Sequence, residues 1–247
     1  MNDSKLLIII PAHNEEENIQ GVLDELRRYD VAKFADVLII DDASSDSTAD
    51  IADQNGAHCI RFAYNLGYGN ALQAGYKFAT VHGYEYLIQM DADGQHDACN
   101  IQRIYQELCF GEDKPDMVLA CRFMKESGPY ETGPLMKLAF LWFRMLLELL
   151  CGEQYADSTT GLQGLNRRAF SYYARYNHFD STYPDANMIL QMNLLGFRIL
   201  QIPAVMHHRM HGKGMHAGII RPVKYMFRAT ASVIAVWARL RLLKRKE

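Results

Sequence analysis

The run Leu6-Leu7-Ile8-Ile9-Ile10 is apolar without a break and rich in β-branched residues. A strand that shows one face to water alternates; a continuous run belongs to a strand covered on both faces, as in a parallel sheet. Similar runs recur at Val37-Leu38-Ile39-Ile40, Cys59-Ile60-Arg61-Phe62 and Leu87-Ile88-Gln89-Met90. Helical stretches lie between them: Ile19, Val22, Leu23 and Leu26 form one apolar stripe, and others fall around Ile51-Ala52 and over 70–80. Strand–helix alternation with short links predicts an α/β domain with a mainly parallel central sheet flanked by helices. Pro11 is expected to end the first strand. Asn14 should cap the next helix, with Glu15, Glu16 and Glu17 in its first turn, and Ser45 or Asp46 should cap the second. Beyond residue 97 we expect a helix over 101–108, a strand over 117–120, a helix over 184–195 and a strand over 197–202.

In a parallel sheet the C-terminal strand ends share one edge, where open α/β folds bind ligands. Pro11–Glu16, Asp41-Asp42 and Asp91–Gln95 would all lie there. Met90-Asp91-Ala92-Asp93-Gly94-Gln95-His96-Asp97 sets two carboxylates two positions apart, directly after a strand. Hard divalent cations prefer oxygen ligands, and Mg²⁺ usually binds one or two carboxylates plus substrate phosphates. The motif therefore reads as a metal–diphosphate site or as a plain acidic turn. The Asp42 carboxylate could accept N–H donors of a base or ribose hydroxyls, or cap the following helix. Gly67-Tyr68-Gly69-Asn70 fails as a dinucleotide fingerprint, because Leu72 stands where the next glycine belongs; it reads as loop packing.

The formal net charge of −3 conceals an asymmetry. From Arg221 to Glu247 there are eight Lys or Arg and one acid, about +7, which leaves about −10 for the remainder. That acidic remainder argues against nucleic acid as a partner. The uncharged stretch 229–238, with Trp237 and basic ends, is too short to span a bilayer and suits an anionic membrane surface or docking on the core. We expect a catalytic domain over 1–218 and a basic amphipathic helix over 219–247. The strongly apolar 134–150 segment is interrupted by Lys137, Arg144 and Glu148, which argues against a transmembrane span. It reads as a buried helix, an interfacial one, or a homodimer contact. Cys59, Cys99, Cys109, Cys121 and Cys151 form no Cys-x-x-Cys pair. Beside no signal peptide they read as reduced thiols of a cytoplasmic protein.

Four segments, taken in order, resemble family 2 glycosyltransferases: Ile8–Ile19, Asp41–Thr48, Asn65–Gly75 and Asp91–His96. The resemblance implies a single GT-A (Rossmann-like) domain, a UDP- or GDP-linked sugar donor, and Mg²⁺ or Mn²⁺ held by Asp91 and Asp93. In the polyprenyl-phosphate branch Gln95 joins that set. Pro11, Asn14, Glu15 and Asp42, with Ala12, Asp91 and Ala92, match positions lining the nucleotide. The second half resembles the dolichyl-phosphate mannose synthase branch more loosely, through Ala120–Phe123, Asp157–Gln163 and Val205–Gly214. Gln163, Asn187 and Met215-His216 depart from that branch's pattern.

The implied chemistry is inverting transfer of a hexose at the inner, cytoplasmic face of a membrane. With a polyprenyl phosphate acceptor the nucleophile is already anionic, and Arg122, Lys137, Arg209 and Lys213 would hold its phosphate. With a glycan or lipid-linked saccharide, a hydroxyl attacks and a base is required; Asp185 is the candidate, or simply an acid at a helix N-terminus. Asp93, Arg122 and Asp185 are the expected catalytic residues. The rival classes are an aspartyl-phosphate phosphohydrolase, whose pattern fits less well because Asp41-Asp42 lies upstream, and a non-enzymatic nucleotide-binding module on the membrane. His207, His208 and His211 fit no closed zinc spacing.

Overall fold

The computed structural model describes residues 5–112, 114–209, 211 and 220–243. Seven strands form one sheet: β1 (Leu6–Ala12), β2 (Ala35–Asp41), β3 (His58–Arg61), β4 (Tyr86–Gln89), β5 (Met117–Cys121), β6 (Gln163–Asn166) and β7 (Ile199–Pro203), in the order β3-β2-β1-β4-β6-β5-β7. The β3–β2, β2–β1, β1–β4 and β5–β7 pairings are parallel. Only β6 runs antiparallel, between β4 and β5. Neighbouring β1 residues face opposite sides. Leu6, Ile8 and Ile10 enter the core beneath α1 (Glu16–Arg28) and α4 (Cys99–Phe110), whereas Leu7 and Ile9 enter the core with α3 (Tyr68–Val81), α6 (Arg167–Tyr173) and α7 (Ala186–Leu194). Burial on both faces is what the unbroken apolar run predicted.

Two local expectations are corrected, and one strand is unforeseen. Pro11 does not end β1: the strand continues to Ala12 against β2. Ile9 accepts from Met90 on the β4 side, so Pro11, two residues on, points its N–H-less nitrogen to that side just where β4 has stopped. Asn14 adopts φ 55° and does not cap α1; its Oδ1 accepts from the Ser45 backbone N–H at 2.8 Å. β6 carries no apolar run. It is admitted because Gly164 has no side chain: a Cβ there would lie 2.2 Å from Ile104 Cγ2.

The apolar helix α5 (Pro134–Cys151) buries Ala139, Phe143 and Leu147 but leaves Leu138, Leu141, Trp142, Met145 and Leu149 exposed, which corrects the buried-helix reading. Beside it lies α8 (Ile220–Ala238), followed by a π-helical turn over 239–243. Trp142 Nε1 donates to Thr230 Oγ1 at 2.9 Å, and Asn187 Nδ2 of α7 donates to Ser232 Oγ at 2.8 Å. Among the described residues no helix is long and apolar enough to cross a membrane.

Candidate active site

The chain from β1 turns toward α1, and the chain from β4 enters the acidic motif; between these adjacent strands the C-terminal edge opens into a site. Asp91 Oδ1 accepts from the Tyr68 hydroxyl at 2.8 Å. The Asp91 backbone N–H donates to His96 Nδ1 at 3.0 Å, which leaves the ring proton on Nε2, 3.6 Å from Asp91 Oδ2. Burial lowers the His96 pKa to about 4, so the ring is neutral near pH 7. Gly161 closes this side: a Cβ would stand 2.6 Å from Asp91 Oδ2. Burial raises the Asp91 carboxyl above its ordinary range; Asp93 is raised by burial and then by the charge of Asp91. Asp93 Oδ1 accepts from the Gln95 N–H at 3.1 Å, and Gln95 Nε2 donates to the Tyr130 hydroxyl at 2.9 Å.

Two arginines face these acids. Arg209 Nη2 donates to both oxygens of Glu15 at 2.7 and 2.8 Å, and its Nη1 lies 3.4 Å from Asp93 Oδ2. Arg122 is clamped: Nε and Nη2 donate to the Asp157 carboxylate at 2.6 and 2.7 Å, and Nη2 also reaches Thr159 Oγ1 at 2.9 Å. Its guanidinium lies over the rings of Phe123, Tyr130 and Phe140, at 5.3, 5.6 and 5.3 Å from their centroids. Asp185, just before α7, accepts from the Tyr225 hydroxyl of α8. Burial raises its pKa to about 6, opposed by that hydrogen bond and by the nearby Arg122 charge, and the charge of Asp91 adds to the rise.

The remaining expected residues are dispersed. Pro11, Ala12 and Ala92 are buried, the two alanine side chains in the α1–α4 core, so only backbone could meet a ligand there. Asn14 is exposed on the Ser44-Ser45 loop. Asp42 is 3% exposed and caps no helix: its oxygens accept from the Leu66 and Gly67 N–H groups at 2.6 and 2.8 Å. That tether shapes the turn that delivers Tyr68 to Asp91, a role sequence reading missed. Gly67 adopts φ 90°, so glycine is needed there for the backbone. Lys137 is exposed on the first turn of α5 and makes no ion pair with the described residues. Lys213 lies outside the described residues. Sequence reading misses Tyr68, Tyr130 and Asp157 because their partners lie 23 to 35 positions away; His96 sits only five positions from Asp91, but nothing local shows its ring turning back to that residue.

Two crowded, half-buried carboxylates beside a side-chain amide form a hard oxygen donor set, which fits Mg²⁺ or Mn²⁺. The sequence profile of Glycosyl transferase family 2 matches residues 7–187. The undecaprenyl-phosphate mannosyltransferase of Micrococcus luteus is 29% identical over 231 residues, which is 87% of this chain and 89% of that protein. The UDP-N-acetylglucosamine–dolichyl-phosphate N-acetylglucosaminyltransferase of Methanococcus voltae is 28% identical over 187 residues, 68% and 72% of the two chains. Glucosyl-3-phosphoglycerate synthase from Mycobacterium tuberculosis, crystallised with Mn²⁺, UDP and glucosyl-3-phosphoglycerate, superposes with a TM-score of 0.69 at 19% identity, covering 95% of this chain and 79% of that one. This last likeness is one of fold, GT-A.

Proposed function

This chain belongs to glycosyl transferase family 2, and from that premise we propose that it transfers a hexose, with inversion, from a UDP- or GDP-linked donor to a polyprenyl phosphate at the cytoplasmic face of a membrane. The observation that carries the proposal is the gathering of Glu15, Asp91 and Asp93 with the Arg209 guanidinium at one sheet edge. The names of the two relatives above support the acceptor class. Asp91, Asp93 and Gln95 would hold Mg²⁺ or Mn²⁺, which neutralises charge on the departing nucleoside diphosphate. Glu15 sits beside this set, and Tyr68 and His96 fix the Asp91 carboxylate. Arg209 presents two N–H donors to a carboxylate, a fork that suits phosphate oxygens equally. We read it as exchanging Glu15 for the acceptor phosphate. Arg122 keeps only its Nη1 edge for that phosphate, and Asp157 and three aromatic rings fix its direction. An anionic phosphate oxygen needs no base.

One observation favours a second reading with a hydroxyl acceptor. Asp185 feels both Asp91 and Arg122, and a carboxyl near 6 is suited to accepting a proton. A panel of nucleotide sugars with Mg²⁺ or Mn²⁺, offered polyprenyl phosphate and scored for lipid-linked product, separates the two when run with Asp185→Asn. We expect product, and a rate in the variant within a few-fold of wild type. A loss of about 10²–10⁴-fold in the variant, the usual contribution of a general base, with the fold intact, would favour the hydroxyl. Ionised Asp185 is disfavoured in the folded chain, so Asp185→Asn should also raise the melting temperature at pH 8. The gain should begin to fade as pH falls below about 6, where the native carboxyl protonates, and vanish near its ordinary value of 3.8.

Helix α8, which lies beside α5, exposes Val223, Phe227 and Ile234, and Lys137, Lys224 and Arg228 are exposed as well. This two-helix face has the composition of a surface that rests on anionic lipid. Because α8 is hydrogen-bonded to the core, point substitution is a cleaner test than truncation. Leu141→Glu with Phe227→Glu should sharply reduce pelleting with anionic phospholipid vesicles; equal pelleting would remove the membrane reading.

A further inference from the structure

Behind the acidic motif, three side chains from distant segments meet. Glu25 comes from α1, Asp97 from the residues before α4, and His207 from the chain after β7; their ligand atoms lie within 4.8 Å of one another. His207 Nε2 is 2.8 Å from Asp97 Oδ2. Among the described residues this is the one group of three or more His, Cys, Asp and Glu side chains spaced to hold a metal ion. It is only partly solvated: Glu25 is half-buried, and His207, the outer member, is 52% exposed. The Asp97 side chain is only 12% exposed, and an imidazole nitrogen arrives from 110 residues away. Burial, and then the charge of Asp97, pushes the Glu25 carboxyl above its ordinary range, as like charges held together do. His96 turns its ring to Asp91, whereas the next residue, Asp97, turns its carboxylate to Glu25 and His207.

We infer that Glu25, Asp97 and His207 form a second divalent-metal site, distinct from the Asp91–Asp93 edge, that clasps the segment 205–209 to α1 and to the acidic motif. One imidazole nitrogen and two carboxylates suit a borderline ion such as Zn²⁺, with water completing the shell, whereas Mg²⁺ prefers oxygen alone. Binding gives the Nε2 lone pair to the metal, and any proton held on that nitrogen leaves to solvent. The segment so held is the one that positions Arg209. The His96–Met206 bridge, the His207 N–H on the Gln95 carbonyl at 2.8 Å, and the paired bonds between Asn100 and Val205 at 2.7 and 3.0 Å already set its register. His208 stacks on Tyr130 at 4.9 Å, and Arg209 reaches Glu15 and Asp93. A metal at its base would hold that register against strand slip.

The test uses the full, tag-free chain, stripped with chelator and supplied with excess Mg²⁺ and a nucleoside diphosphate to fill the oxygen-only edge. Zn²⁺ is then titrated calorimetrically. The expected result is one Zn²⁺ per chain, with affinity unchanged in Asp91→Asn. Glu25→Gln and His207→Gln should each weaken it more than about tenfold, since loss of an outer-sphere partner alone costs about 10–100-fold. Absence of Zn²⁺ binding in the wild type, or unaltered binding in both variants, overturns the site. Should either variant fail to fold, X-ray absorption of the Zn²⁺-loaded wild type decides: imidazole scattering supports the site and its absence overturns it. The readout is metal count, so it stands or falls separately from the transfer reaction.

Discussion

Asp93→Asn is expected to lower sugar transfer about a thousandfold, the several kcal/mol that charge neutralisation at a departing diphosphate supplies. Asn matches Asp in shape, so packing is kept while one of two mutually repelling half-buried charges is removed. The same crowding that raises Asp91 and Asp93 in the free protein is what a bound cation relieves. The fold should therefore tolerate the change, and the melting temperature should hold or rise slightly. A parallel loss is expected for Asp91→Asn, where Tyr68 and His96 would be left orienting an amide. Initial rates at saturating donor check both variants, with circular dichroism confirming the fold.

The second large effect is on stability. Arg122→Met leaves the Asp157 carboxylate, 1% exposed, without its counter-ion. Breaking a buried pair in this way costs about 3–5 kcal/mol, because the orphaned charge stays desolvated. For a chain of this size that is a fall in melting temperature on the order of 10 °C. Arg122→Met with Asp157→Asn should recover part of the loss, since no unpaired charge remains. A double variant no more stable than Arg122→Met alone would show that the aromatic packing of Phe123, Tyr130 and Phe140 on the guanidinium, rather than the ion pair, holds this corner.

What the sequence made legible follows chain locality. β1, β2 and β4 announce themselves because strands covered on both faces need continuous apolar runs, and their polar ends then fall on one edge by parallel geometry. β6 gives no such signal. Its Gln163 amide is satisfied by the Thr160 carbonyl at 2.8 Å, and Gly164 is buried for lack of a side chain. The four ordered segments carried the family, and Asp91, Asp93, Glu15 and Arg209 do meet. What local reading missed is who restrains whom. Asp42 reads as a ligand contact or a cap; it caps no helix, and each of its oxygens accepts one bond from the 66–67 turn that aims Tyr68. Arg122 looked like a free phosphate grip, yet Asp157 and Thr159 occupy most of its fork. Arg209 and Glu15 are separated by 194 positions, and no periodicity in one chain encodes that pairing. The 134–150 run alone reads as a buried helix, an interfacial one or a dimer contact; the exposed stripe through Leu138, Leu141, Met145 and Leu149 appears only once α7 and α8 take up the other face.

The central claim is that Asp91 and Asp93 hold the cation that binds the donor diphosphate. Calorimetric titration of UDP and GDP, with and without Mn²⁺, tests it most directly in wild type, Asp91→Asn and Asp93→Asn. We expect Mn²⁺ to strengthen nucleotide binding at least about tenfold, or 1.4 kcal/mol, in the wild type and to do nothing in either variant. Equal strengthening in all three proteins would contradict the claim.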